Sequence, residues 1–159
     1  MLNIYDKVMS YEDNINIYNN ILANRRFRYG ETDTVFTPPT GMIDELSTDD
    51  ELFKTLHAIV VYNHRPIADM KLKRAYINLF FSNENPYFHS DGNVITCLFY
   101  ITPGYDNDMG GETQFLIDDK ITGVQSNPSR LVMFDGKIRH RATSYRNKPR
   151  ITIALKYAV

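Results

Sequence analysis

The sequence predicts a mainly β protein with N-terminal helices: a double-stranded β-helix (jelly-roll) core buttressed by α-helices. Three observations carry this expectation. Apolar residues at helical spacing are confined to the first 65 residues or so. From about Lys73 onward, short β-rich runs alternate with clusters of Gly, Pro, Asn and Asp, the texture of an antiparallel sheet system. No Pro/Gly/Ser-rich linker separates the two parts. Residues 1–159 are therefore expected to form one domain, with 1–72 as mostly helical support and 73–159 as the jelly-roll core.

The elements follow in chain order. Ser10 can cap a first helix, with Asp13 three residues later. Tyr11, Ile15, Tyr18 and Leu22 then share one apolar face. Arg25–Tyr29 alternates and is stopped by Gly30, which predicts a strand. Glu31–Gly41 contains Thr-Pro-Pro-Thr-Gly and predicts a loop. Thr48 and Glu51 make a capping box for a second helix. Leu52, Leu56, Ile59 and Val60 lie on one face of it, and Pro66 sets its outer limit. The predicted strands are Ala75–Phe81, Val94–Thr102, Thr113–Ile117, Ile121–Gln125, Arg130–Phe134, Arg139–Ser144 and Arg150–Tyr157. That many short strands in the second half of the chain is what a jelly roll or a small barrel requires.

Composition narrows the function classes. The 18 basic and 19 acidic residues give a net charge of -1, so the basic footprint of a nucleic-acid binder is missing. No apolar run approaches the roughly 18 residues of a membrane span. The N-terminal residues MLNIYDKVMS lack the apolar stretch of a signal peptide. Cys97 is the single cysteine, so no internal disulfide can form. These features predict a soluble cytoplasmic chain with no nucleic-acid or membrane partner.

Chemistry concentrates in the second half. His89 and Asp91 stand as His-Ser-Asp in PYFHSDG. In extended chain, residues i and i+2 project to the same side, so both can converge on one ion. Two imidazoles and a carboxylate on one face of an octahedron leave three positions open, which suits Fe(II) binding a chelating co-substrate and O2. His140 is the candidate second imidazole. Downstream, PRITIALKY alternates strictly. Ile151, Ile153, Leu155 and Tyr157 face one way, into the core, and Arg150, Thr152 and Ala154 face the other. A guanidinium followed by two small residues can grip a carboxylate with paired hydrogen bonds. In Val94–Thr102, one face carries Thr96, Leu98, Tyr100 and Thr102, and the other carries Cys97, Phe99 and Ile101. Tyr100 can then place its hydroxyl beside Arg150. Formal charges agree: Fe(II) at +2, Asp91 at −1, a dicarboxylate at −2 and Arg150 at +1 sum to zero in a buried site.

From about Tyr76 to Lys156, about half of the chain, the sequence resembles the 2-oxoglutarate and Fe(II)-dependent dioxygenases. It is most similar to their prolyl-4-hydroxylase-like branch. The matching pieces, in order, are PYFHSDG, TCLFYIT, GGETQF, PSRLVMFDGKIRHRA and PRITIALKY. The resemblance implies that His89, Asp91 and His140 are iron ligands and that Arg150 binds the C5 carboxylate of 2-oxoglutarate. Tyr100, Thr152 and Thr96 would assist Arg150, and Gly110-Gly111 would form a tight turn before the next strand. It implies Fe(II) and 2-oxoglutarate as cofactor and co-substrate, and adds ascorbate to the cofactors to be considered. The partners would be 2-oxoglutarate, O2 and a peptide, protein or small-molecule substrate. The implied reaction is hydroxylation with release of succinate and CO2, most simply on a peptidyl proline. Related halogenases have a small residue where Asp91 stands, so the carboxylate favours hydroxylation. A hydroxylase of a free amino acid or other small molecule remains an alternative, as does a non-catalytic metal- or ligand-binding β-domain.

The remaining polar residues are expected to be structural. His57 and His64 belong to the second helix and its end, and Cys97 to the apolar face of its strand. Glu112 and Asp106-Asn107-Asp108 read as solvated turn residues. Arg139, Arg141 and Arg146 surround His140 as surface charge or as a greeting for an acidic substrate. The loops Glu31–Gly41 and Pro103–Met109 are candidate lids.

Overall fold

Ten strands and two α-helices make up the computed structural model, which covers residues 1–159. They are β1 (Leu2–Tyr5), α1 (Tyr11–Asn24), β2 (Arg28–Tyr29), β3 (Met42–Glu45), α2 (Glu51–Asn63) and β4 (Leu72–Phe80), followed by β5 (Val94–Tyr100), β6 (Thr113–Ile117), β7 (Lys120–Val124), β8 (Arg130–Asp135), β9 (His140–Ala142) and β10 (Arg150–Ala158). A short 3₁₀ turn, Arg65–Asp69, follows α2. The strands form two antiparallel sheets. The major sheet has the order β1-β8-β5-β10-β4-β3-β2, and the minor sheet β7-β6-β9. This is the expected jelly-roll class, with the helices on one face of the larger sheet.

The period-two alternation of the central strands sorts their side chains into two cores. Cys97, Phe99, Ile101, Ile151, Ile153, Leu155 and Tyr157 point at the helices, where they meet Ile21, Phe53, Leu56 and Val60. Leu98, Tyr100, Val132, Phe134 and Ala154 point the other way, where Phe115 and Val124 of the minor sheet cover part of them. The uncovered part of that inner face is where the functional pocket opens. His57 is structural, as expected: its Nδ1 lies 2.8 Å from the Tyr157 hydroxyl and its ring stacks on Phe53. His64 closes α2, donating its backbone N–H to Val60.

The first 72 residues differ most from expectation. They are not only helical support, because β1, β2 and β3 lie at the two edges of the major sheet. The predicted strand Arg25–Tyr29 shrinks to Arg28–Tyr29. Arg25 instead terminates α1 and is held by Asp50 at the start of α2, with N–O distances of 2.6 and 2.9 Å. Ser10 caps α1 as predicted, accepting from the Asp13 N–H. The buried face of α1, however, is Asn14, Ile17, Tyr18 and Ile21, whereas Tyr11 and Leu22 are 66% and 52% exposed. Asn14 explains the shift. Its amide donates to Ile101 O and accepts from the Ser129 N–H, so a polar residue sits at the centre of the inward face. The cap of α2 is Asp50, which accepts from the Leu52 N–H, in place of Thr48. Phe53 joins Leu56 and Val60 on its buried face.

Two glycines set the shape of the site. Gly111 has φ +80, and a Cβ there would lie 2.0 Å from the Tyr145 ring, so the turn into β6 requires glycine on both counts. At Gly136, a Cβ would come within 2.6 Å of Val94 and 3.0 Å of Asp91 Cβ. The missing side chain lets the segment carrying Asp91 close onto the turn after β8, where the Asp91 N–H donates to Gly136 O at 2.7 Å.

Candidate active site

The three sequence-predicted metal ligands meet. His89 and His140 face each other across an isolated antiparallel bridge, each donating its N–H to the other's carbonyl at 3.0 and 2.9 Å. The same extended segment carries Asp91 two residues on. One candidate ligand atom from each of His89, Asp91 and His140 lies within 4.8 Å of the others. The Nε2 atoms of His89 and His140 lie 3.7 and 3.6 Å from the two Asp91 oxygens. Both Nδ1 atoms are occupied. That of His140 is 2.9 Å from Ile138 O, and that of His89 is 3.1 Å from Tyr87 O and 3.3 Å from Asp33 Oδ1. These are acceptors, so Nδ1 carries the proton and the Nε2 lone pairs point into the site, the arrangement a metal needs.

Electrostatics prepare the same chemistry. Burial pushes the His140 imidazole down to about 4, despite the opposing pull of Asp91, so it is neutral at physiological pH. Burial works to raise the Asp91 carboxyl. Lys156, His140 and the hydrogen bonds from Lys156 and Thr96 outweigh it and hold the group below the ordinary carboxylate range. Lys156 Nζ donates to Asp91 Oδ1 at 2.7 Å, and the Thr96 hydroxyl donates to Oδ2 at 2.6 Å.

The sign of the pH dependence follows. An imidazole whose folded pKa lies below its ordinary value of about 6.5 contributes stability that is fully present above 6.5 and lost as pH falls toward 4. Asp91, also depressed, extends the loss further into acid. Metal-free protein should lose about 2–3 kcal/mol between pH 7 and pH 4.5 from His140 alone. Urea unfolding at the two pH values in the presence of a chelator measures it. His140→Gln should flatten most of the slope, and an unchanged slope would assign it to other groups.

At the other end of the inner face lies Arg150, 1% exposed. Its Nε donates to Gly111 O at 2.7 Å, and its Nη2 to Thr113 Oγ1 at 2.9 Å. The Tyr100 hydroxyl donates to the same Thr113 oxygen at 2.7 Å, and the guanidinium sits 5.5 Å from the Tyr100 ring centre. No carboxylate of the chain lies within ion-pair distance of Arg150. Beside it on β10, Thr152 Oγ1 is buried without a hydrogen-bond partner. A buried cation lacking its anion, next to an unpartnered hydroxyl, is costly unless a ligand supplies the missing acceptor. Arg150, Thr152, Thr113, Asp91, His89 and His140 all line one cavity of about 270 Å³. The residues therefore fit both groups that the sequence implied: a divalent metal on the His-Asp-His set and an elongated dicarboxylate reaching Arg150.

The four predicted co-substrate residues separate in space. Arg150 and Thr152 line the cavity at the anion-seeking end. Tyr100 stands behind Thr113 and orients it. Thr96 lies at the opposite end, on Asp91, and is not a neighbour of Arg150. Thr113 and Lys156 were not singled out in the sequence. Lys156 was within reach, because it continues the Arg150, Thr152, Ala154 face by one more step of two. Of the two candidate lids, Glu31–Gly41 lines the cavity through Glu31, Thr32, Asp33 and Thr40, and Pro103–Met109 does not line it. Arg139 and Arg146 are exposed, while Arg141 stacks on Phe88 and donates to Gln114. Glu112 is half-buried and accepts from Gln114. The Asp106 carboxylate caps its own turn, accepting from the Asp108 N–H.

Solved structures share this architecture. A prolyl hydroxylase from Trichoplax adhaerens, in complex with a hypoxia inducible factor oxygen degradation domain peptide fragment, superposes with a TM-score of 0.77 at 13% identity, covering 99% of this chain and 83% of that one. A Pseudomonas putida prolyl-4-hydroxylase gives 0.75 at 11%, covering 99% and 92%. The fold is that of the 2-oxoglutarate, Fe(II) oxygenases. HygX from Streptomyces hygroscopicus, solved with nickel and 2-oxoglutarate bound, has it too, with a TM-score of 0.72 at 9% identity over 99% and 82% of the two chains. No protein-family model and no curated protein sequence matches the chain. No helix is long and apolar enough to cross a membrane.

Proposed function

We propose that this chain is a 2-oxoglutarate- and Fe(II)-dependent dioxygenase that hydroxylates its substrate, with a proline of a peptide or protein as the target. The observation that carries the proposal is the pairing of two half-sites in one cavity. A His-Asp-His donor set lies at one end, and a buried, anion-less Arg150 beside an unpartnered Thr152 hydroxyl lies at the other. A metal-storage domain has no use for the second half. The peptide complex of the Trichoplax prolyl hydroxylase, on the same fold, supports the choice of proline. Ascorbate as accessory reductant and a cytoplasmic setting belong to the same proposal and rest on the sequence.

His89, Asp91 and His140 would hold the iron, and Arg150 with Thr152 the far carboxylate of 2-oxoglutarate. Bound there, the iron and co-substrate would supply the oxidising chemistry with O2 as the oxidant, one oxygen atom going into succinate as 2-oxoglutarate loses CO2 and the other into the new hydroxyl of the substrate. The protein's own work is positioning and electrostatics. Neutral Nε2 atoms and an ionised Asp91 offer lone pairs without a competing proton. Arg150 fixes the length axis of the co-substrate with hydrogen bonds that the buried setting strengthens. The Glu31–Gly41 loop borders the cavity through Glu31, Thr32, Asp33 and Thr40.

The test is succinate release from 2-oxoglutarate by purified protein with fresh Fe(II), with and without proline-containing peptide libraries, followed by mass spectrometry for a gain of one oxygen. Slow Fe(II)-dependent succinate release without peptide, and oxygen gain on proline with it, is the expected result. Failure to bind 2-oxoglutarate would overturn the enzyme. Turnover with oxygen gain only on a free amino acid would replace proline as the target.

A further inference from the structure

Both imidazoles of the candidate metal centre place Nδ1 on the backbone carbonyl two residues before them, Ile138 O at 2.9 Å for His140 and Tyr87 O at 3.1 Å for His89. His89 alone has a carboxylate beside that nitrogen as well: Asp33 Oδ1 of the Glu31–Gly41 loop, 3.3 Å away. Asp33 is well placed to hold that position. Its side chain is 10% exposed, and its Oδ2 accepts from the Tyr87 N–H at 2.7 Å and the Thr40 hydroxyl at 3.1 Å. One carboxylate thus grips the ligand ring, the backbone two residues before it, and the far end of its own loop. The base of the loop is anchored separately, by the Glu31–Arg74 ion pair, the Tyr29 hydroxyl to Pro39 O, a bridge between Thr32 and Pro39, Thr40 N–H to Glu31 O, and Gly41 N–H to Glu84.

We propose that Asp33 is the positioning residue for His89, and that metal binding and the order of the 31–41 loop are therefore linked. The inference rests on His89 being a metal ligand, as argued above. Tyr87 O takes the Nδ1 proton and fixes the tautomer, while Asp33 holds the Tyr87 backbone and sets a negative charge beside the same N–H, which makes Nε2 a better donor; loss of such outer partners typically weakens metal binding about 10–100-fold. Linkage works in both directions. A metal that draws on the His89 lone pair strengthens the Nδ1–H contact to Asp33 and steadies the loop, and a loop held in place raises metal affinity. Charge is consistent. Asp33 at −1 offsets Lys156 at +1, so the sum of zero found for iron, Asp91, 2-oxoglutarate and Arg150 is preserved when both are included.

The experiment is a Co(II) titration without co-substrate, read by visible absorption, together with hydrogen exchange of residues 31–41 with and without Co(II). Asp33→Ala should lose about 10–100-fold in Co(II) affinity. Its loop should exchange at the same rate with and without metal, whereas the wild-type loop slows on binding. Asp33→Asn, which keeps an acceptor for the Tyr87 N–H and loses the charge, should fall between the two. Glu84→Ala removes the anchor of Gly41 at the end of the loop without touching Asp33 or His89 and should keep near wild-type affinity. An Asp33→Ala protein that binds Co(II) within about twofold of wild type would overturn the inference. So would a Glu84→Ala protein as weak as Asp33→Ala, since loop anchoring alone would then account for the effect. Wild-type protein that binds no Co(II) would overturn the metal site itself and this inference with it.

Discussion

Asp91→Ala should abolish metal binding and also destabilise the metal-free protein, and the two effects should be separable. The carboxylate lies between His89 Nε2, His140 Nε2, Thr96 and Lys156, with its side chain 3% exposed. Removing it deletes the single anionic ligand, so the loss of affinity should exceed the roughly 10–100-fold expected of an outer-shell partner. It also leaves the Lys156 ammonium without its anion. Breaking one side of a buried pair typically costs about 3–5 kcal/mol, and the lower end applies because Lys156 keeps some contact with the cavity. Asp91→Ala/Lys156→Met replaces the whole pair with apolar groups and should recover most of that stability, with metal binding still absent. Urea unfolding with chelator measures the first quantity and Co(II) titration the second. If the double variant regains metal binding, Asp91 is not a ligand. If Asp91→Ala is as stable as wild type, Lys156 has found another partner and the pair contributes nothing to the fold.

The parts of this site that were legible in the sequence are those written in local periodicity. His89 and Asp91 share a face because extended chain repeats every two residues, and Arg150 with Thr152 is separated from Ile151 and Ile153 for the same reason. The strands of the second half were found, with ends matched or shifted by at most three residues, because each buries a distinct face. What stayed hidden depends on long-range pairing or on residues that defy their usual placement. β1, at one edge, and β3, next to the other, are short strands whose identity comes from the neighbours they pair with, Leu131–Phe134 and Tyr76–Leu79. The inward face of α1 was misplaced because buried Asn14 interrupts the apolar stripe. Lys156 continued a face already recognised, and that periodic signal was outweighed by the usual solvent exposure of lysine. Thr113 and Asp33 act through contacts that join separate strands or a loop to the site, and no spacing rule encodes such contacts. Low identity to the solved structures of this fold makes the same point from the other side: the architecture is shared at 11–13% identity.

Arg150→Leu should eliminate 2-oxoglutarate binding while sparing the metal, and this outcome bears most directly on whether the cavity has two functional ends. Leucine keeps the bulk and removes both the charge and the paired donors. Truncating one partner of a buried, hydrogen-bonded charge pair typically costs about 2–5 kcal/mol, or ~30- to ~4000-fold in affinity. Arg150→Lys keeps the charge and loses the fork, so it should lie between leucine and wild type. The fold responds in two opposing ways. Gly111 O loses its Arg150 donor, a cost of roughly 1–3 kcal/mol if water cannot replace it, while Thr113 Oγ1 still accepts from the Tyr100 hydroxyl. Against that, a buried cation with no anion in the chain is gone, which is a gain. The net change in stability should therefore be small compared with the change in affinity. Calorimetric titration of 2-oxoglutarate into Co(II)-loaded protein, set beside Co(II) titration and thermal unfolding of the same variant, separates the three quantities. Metal and co-substrate lost together would make Arg150 a structural residue. Metal retained with co-substrate lost would show that the cavity binds a dicarboxylate through two ends, with the ion at one and the guanidinium at the other.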